Sequence, residues 1–340
     1  MEEEVLAKSR RANAVMFGFE FQVNAAIVLM IENIEDLKTI RLEGNFEDIE
    51  LELENNRYIL AQAKAVEKSS SDFRNVRKNL EKSLVSLSEG SQKVDAQQLI
   101  LITNSPNPLN EDASRSIFWG EAHRDFLSLP VSSKKLIEGY LDKISHPLKT
   151  DNFMIQVLPF ETDNDIEKYK VVKRVIDDFI GDMNLNIPGL GKKLMSLWHE
   201  EVFKNGTKND AAIQLKKKDV VWPIMVIATD VNCYDDSFAE AFDLGAYDEI
   251  VRQYKETIES CCEHCEFFIK VLCDYNEYQT TKKQSEKCLD FVMHKWKEYL
   301  PEFELDVMEE EIKKGLIQII LYKIIRNRIV IQNIKKGVKL

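Results

Sequence analysis

The strongest constraint on this chain is a pair of neighbouring runs joined by a short polar turn. Asp48-Ile49-Glu50-Leu51-Glu52-Leu53 changes from polar to apolar with a period of two, the pattern of a strand with one buried face. Asn55 and Asn56 supply the turn. Arg57 to Ala65 follows as a more buried strand carrying Tyr58, Ile59 and Leu60. Because strand side chains alternate, Gln62 and Lys64 share a face, and the hairpin lets that face meet Asp48 across the ladder.

The flanking sequence extends this into an α/β core. Residues 5 to 33 read as a helix, with Val15, Phe19, Ala26, Val28 and Leu29 mainly on one side and Gly18 interrupting its propensity. Thr39 to Glu43 reads as a short strand. Ser71 or Asp72 is placed to cap a helix running to about Leu87, with Phe73, Val76, Leu80, Leu84 and Leu87 as its core face. Gln98 to Thr103 reads as a buried strand, Asp112 to Ile144 as helical, and Phe153 to Phe160 as a further strand. Beyond about residue 165 the chain turns to long charged and apolar periods with few strand signals, the apolar run Val220 to Ala228 excepted. Loop chemistry concentrates at Ile187 to Gly191 and Asn205 to Asn209. Three helices are expected near 247–277, 280–299 and 306–335. The division is residues 1–165 as an α/β domain and 166–340 as a mostly helical one.

Length and charge bound the function. A chain of 340 residues exceeds a single core of about 150 residues. The opening Met-Glu-Glu-Glu-Val is acidic where a secretory signal needs basic charge. Leu316 to Ile325 is interrupted by Gln318 and Lys323 and is too short to cross a bilayer, so no membrane span is expected. Six cysteines without a signal read as reduced thiols in a cytoplasmic protein. A net charge of -12 argues against holding nucleic acid by bulk electrostatics, so any grip on DNA must be local.

Metal-dependent phosphodiester cleavage needs a hard carboxylate, a second oxygen ligand, and a cation beside the scissile phosphate. Asp48, Gln62 and Lys64 supply these groups, and the Ala63 carbonyl is an extra ligand. The ordered set Gly18-Phe19-Glu20-Phe21-Gln22, Glu43-Gly44, Glu47-Asp48-Ile49 and Ala61-Gln62-Ala63-Lys64 resembles double-stranded DNA endonuclease domains of anti-phage defence systems. Those domains belong to the Mrr-like branch of the PD-(D/E)XK superfamily, in which the last acidic motif position is often Gln. The resemblance covers about residues 10 to 105. It implies a mixed sheet flanked by helices, with Asp48 as main metal ligand, Gln62 as accessory ligand or water-orienting group, and Lys64 as catalytic cation. Gln22, Glu20 and Glu43 become accessory groups, and Mg²⁺ or Mn²⁺ the cofactor.

Arg74, Arg77, Lys78 and Lys82 are spaced to form a basic stripe that reads either as a phosphate-contacting face or as a solvated helix surface. Cys261, Cys262, His264 and Cys265 allow a zinc cluster on one helix, although buried thiols in a helical core explain them more simply. The architecture resembles the nuclease subunit of a Lamassu-type defence complex. That implies double-stranded DNA, an SMC-like ATPase and a small accessory subunit as partners, with the nuclease silent until activation by release or homo-oligomerisation. The alternatives are a non-catalytic DNA-binding or scaffold protein on the same fold, and a cyclic-oligonucleotide-activated nuclease.

Overall fold

The computed structural model describes residues 2–160, 164–229, 250, 252–254, 257–258, 264–303, 305 and 308–340. In it the hairpin read from the sequence lies inside a seven-stranded sheet. β2 (Ile49–Leu53) pairs antiparallel with β1 (Leu37–Leu42) on one side and β3 (Tyr58–Lys64) on the other, so that Ile49 faces both Leu42 and Ala61. β4 (Ala96–Thr103) and β6 (Phe153–Val157) continue parallel to β3. β5 (Ala122–Asp125) and β7 (Leu215–Lys216) add antiparallel edges, giving the order β5-β6-β4-β3-β2-β1-β7. The sheet is thus mixed. β4 is a near-continuous apolar run because a parallel strand between helical layers is buried on both faces.

Alternation assigns each side chain a layer. Leu60, Leu99, Leu101, Phe153, Ile155 and Val157 form one core with Leu80, Leu84 and Leu87 of α2 (Val76–Ser91). Ile100, Met154 and Gln156 face the other way, toward Leu29 of α1 (Glu2–Glu32). Within α1, Asn13–Glu32 is long and apolar enough to cross a membrane, but Phe21, Val23 and Ala25 to Met30 are buried in the core of this fold.

Several elements differ from the sequence reading. α2 starts at Val76, because Asp72 accepts the Arg74 backbone N–H in a turn instead of capping a helix. Asp112 to Ile144 is not one helical stretch. It holds α3 (Asp112–Arg115), the edge strand β5 and α4 (Val131–Leu141), with Gly120 at φ 72° breaking the chain before β5. Val220 to Ala228 lies in α8 (Lys217–Ala228), with Pro223 inside it. A short apolar run buried on every side carries no period that separates strand from helix.

The chain forms two compact units, 1–179 with 191–217, and 180–190 with 218–340. The boundary is therefore not a single point at 165. α5 (Asp165–Lys168), most of α6 (Lys170–Asp182), most of α7 (Leu190–Gly206) and β7 all complete the sheet-bearing unit. The buried Arg41 of β1 ties residues 205–213 to the sheet by donating to the carbonyls of Asn205, Lys208 (2.7 Å) and Ile213 (3.0 Å). Trp198 of α7 is buried beside Phe179, with ring centroids 6.1 Å apart.

The second unit is helical. Its centre is the helix Glu310–Arg326, buried continuously from Gly315 to Ile325 and packed by the helices His264–Glu277 and Lys287–Lys295 and by the 3-10 segment Trp296–Glu302. The single terminal helix expected at 306–335 divides at Asn327, whose side chain and backbone N–H both donate to the Lys323 carbonyl at 2.9 Å; a second helix, Arg328–Val338, follows. Phe267 anchors an aromatic group with Phe268, Tyr299 and Phe303.

Candidate active site at the start of β2

The connection from β1 to β2 is drawn tight by its own backbone. Glu43, at a left-handed φ of 52°, donates its N–H to the Asp48 carbonyl at 2.8 Å, and Gly44 donates to the Glu47 carbonyl at 3.2 Å. The carboxylate of Glu50 fills the loop and accepts the N–H groups of Phe46 and Glu47 (3.0 Å for the latter). A β-carbon at position 44 would overlap that carboxylate, so any larger residue there would displace the Glu50 side chain from the loop. Alternation had marked Glu50 as an outward residue. It is 4 % exposed, because it serves as the internal template of the loop that presents Glu47 and Asp48.

Asp48 stands where β2 departs from β3. Its Oδ2 accepts the Ala63 N–H at 3.0 Å, taking the place of a ladder carbonyl, and lies 3.5 Å from Lys64 Nζ. Both side chains keep some exposure. Gln62 is buried and shares the Lys64 face, as the alternation requires. Lys64 borders a small cleft with Val76, Asn79 and Leu80 of α2, and Thr103 donates to the Lys64 carbonyl at 2.6 Å. The fold therefore brings Asp48 and Lys64 into contact. It involves Ala63 through its N–H.

Two further carboxylates adjoin this pair. Glu43 is held above the usual carboxylate range by burial and by the charge of Asp48, an effect eased by the Gln22 amide from α1. Glu47 is pushed up to about 7, first by burial and then by Asp48, while Lys64 works in the opposite sense. Ser86 of α2 and the Asp48 backbone N–H lie close enough to its carboxylate to offset part of this shift, although neither makes a hydrogen bond of ordinary geometry to its two buried oxygens. Glu47 had no sequence signal beyond its place beside Asp48 in a polar loop. Glu43 and Glu47 thus each feel the charges of Asp48 and Lys64. Their ligand atoms do not gather with that of Asp48 within 4.8 Å; among the described residues the trio of His, Cys, Asp or Glu that does so is Glu32, Glu121 and His123.

Glu20 does not join the Asp48 group. Burial disfavours its charge, but Lys168 at 2.6 Å and the Tyr169 hydroxyl outweigh this and hold its pKa low. The Lys168 ammonium also lies over the rings of Phe160, Tyr169 and Phe17.

The basic stripe also divides. Arg74 precedes α2 and pairs with Asp72 at 2.7 Å. Arg77 points its guanidinium at the carbonyls of Leu109 and Asn110, each at 3.2 Å, and so fastens α2 to the loop after β4. Lys78 and Lys82 are exposed and, with Lys68 and Arg74, line an open groove of about 890 Å³. Ala65 and Val66, the residues directly after Lys64, form part of its wall. Of the cysteine cluster, Cys261, Cys262 and the His264 side chain lie outside the described residues. Cys265 is buried and its thiol is pushed up to about 12 by burial, which keeps it protonated and packed as an apolar group.

No protein-family model matches the chain, and neither a curated protein nor a solved structure matches it.

Proposed function

We propose that the sheet-bearing unit is a metal-dependent double-stranded DNA endonuclease of PD-(D/E)XK type, and that Asp48, Gln62 and Lys64 carry the chemistry. The observation behind this reading is the 3.5 Å approach of Lys64 Nζ to Asp48 Oδ2 at the end of the hairpin, beside a groove edged with Lys78 and Lys82. Asp48, the Gln62 amide oxygen and the Ala63 carbonyl would hold Mg²⁺ or Mn²⁺. The ion supplies Lewis-acid polarisation of the scissile phosphate. Lys64 orients the attacking water and offsets the charge that develops on the phosphate oxygens. Lys68, Lys78 and Lys82 contact flanking phosphates without reading sequence.

The cellular part of the proposal rests on the motif resemblance: a cytoplasmic effector of a Lamassu-type anti-phage complex, silenced until an SMC-like ATPase and a small accessory subunit release or assemble it. The test is plasmid cleavage with Mg²⁺, by the chain alone and with those partners. Lys64→Ala is expected to lower the rate by roughly 10²–10³-fold, the loss typical of removing one charge-stabilising donor. Equal cleavage by the variant sinks the assignment.

A second reading is favoured by a specific contact. Asp48 caps the Ala63 N–H, a structural task that needs no metal. A DNA-binding scaffold on this fold would bind duplex through Lys78 and Lys82 and cut nothing in any assembly state.

A further inference from the structure

β3, β4 and β6 run parallel, and the last rungs at their carboxyl ends pair Lys64 with Thr103 and Thr103 with Val157. Open α/β sheets place their ligands at such ends. The chain leaves the sheet directly after Lys64, where Ala65 and Val66 turn aside to wall the groove that holds Lys68, Lys78 and Lys82. Val66 and Asn79 line both that groove and the cleft at Lys64. A lysine has a flexible four-carbon stem, so the aim of the Lys64 ammonium at Asp48 depends on how this exit is held.

Two buried polar side chains hold it. The Thr103 hydroxyl donates to the Lys64 carbonyl at 2.6 Å and accepts the Ser105 N–H at 3.2 Å. A hydroxyl thus takes the place of the backbone N–H that a further rung would supply. The Asn104 amide oxygen accepts the Val66 N–H, and its NH₂ donates to the carbonyls of Val66 and Phe160, each at 2.8 Å. The reversed amide would set its oxygen against two carbonyls, so this orientation is fixed. Side-chain bonds therefore prolong the sheet as far as Val66 and tie the exit of β3 to the ends of β4 and β6.

We infer that Thr103 and Asn104 are positioning residues for Lys64. They fix its backbone at the end of β3, and through it they hold the ammonium beside Asp48 and next to the groove. The effect on cleavage rests on the endonuclease reading, whereas the placement of Lys64 does not.

The test separates the hydroxyl from the volume of the side chain. Thr103→Val keeps the shape and removes the donor, and Thr103→Ser keeps the donor and loses a methyl group. In the full chain without DNA or metal, competitive acetylation read by mass spectrometry compares Lys64 with the exposed Lys78. Wild-type Lys64, partly covered and paired with Asp48, is expected to react more slowly than Lys78. Thr103→Val and Asn104→Ala are expected to bring it toward the Lys78 rate, and Thr103→Ser to keep it slow. For plasmid cleavage with Mg²⁺, Thr103→Val and Asn104→Ala are expected to lower kcat by about 10²-fold, the loss that a misplacement of about 1 Å can cause, with metal-free duplex affinity unchanged. Thr103→Ser is expected to rescue the rate. Circular dichroism checks folding, and the isosteric Thr103→Val carries the test if Asn104→Ala does not fold. Wild-type labelling of Lys64 in Thr103→Val overturns the proposal, as does equal impairment of Thr103→Ser, which would mark a packing role. A loss confined to KM, or failure of all the variants to fold, also overturns it. If wild type cuts no DNA in any assembly state, the endonuclease reading falls, and the labelling alone decides the placement.

Discussion

At Glu47 the fold places a carboxylate where its charge is poorly solvated, and the consequence is a defined pH dependence. The group is held near 7 in the native chain against an ordinary 4.5. The native state therefore keeps its proton where the unfolded chain has lost it. Stability from this residue is full below about 4.5 and is lost as pH rises toward 7. Glu47→Gln, which keeps the shape without ionising, is expected to match wild type at pH 4.5 and exceed it at pH 8 by something on the order of 3 kcal/mol. Urea denaturation of both proteins at the two pH values, in metal-free buffer, checks this; a pH-independent difference contradicts it. Glu50 belongs to the same lesson. A residue that strand alternation assigned to solvent became the acceptor around which the loop folds, because α2 covers the face it points to.

Within α2, neighbouring cations have opposite uses. Arg77 spends its guanidinium on two backbone carbonyls, whereas Lys78 and Lys82 face an open groove. Arg77→Ala is expected to cost about 1–3 kcal/mol through the carbonyls left without a donor, lowering the melting temperature. The double reversal Lys78→Glu, Lys82→Glu is expected to leave melting unchanged, weaken duplex binding, and flatten the slope of log affinity on log salt by about 0.9 per lost phosphate contact. Fluorescence anisotropy across a salt series, beside thermal melts, separates the two. A fall in melting temperature for the double reversal would show that these lysines also hold the fold.

At the scale of the whole molecule, the sheet-bearing unit is completed by residues far along the chain. Arg41 is 1 % exposed, and its carbonyl acceptors come from residues 205 to 213. A fragment ending at residue 165 would lose all three carbonyl acceptors of Arg41 together with β7 and α7, leaving β1 as an open edge and the guanidinium without its partners. We expect fragment 1–165 to lack a cooperative melt by circular dichroism and fragment 1–217 to show one. Cooperative melting of the shorter fragment would refute the role given to Arg41 and the returning segment.

The chain by itself determined what is encoded at short range: the β2–β3 hairpin, the buried run of β4, the apolar face of α2, and the sharing of one strand face by Gln62 and Lys64. These follow from side-chain periods and turn chemistry that act over a few residues. Tertiary structure alone decided the edge strands β5 and β7, whose residues carry no strand pattern and whose hydrogen bonds come from distant partners. It also decided the return of residues 191–217 to the first unit, the burial of Glu47 and Glu50, and the meeting of Glu32 with His123 across 91 positions of sequence numbering. The reason is physical. A local period says which side of an element is apolar, but the solvation, charge and partners of a polar side chain depend on whatever else the fold brings against it.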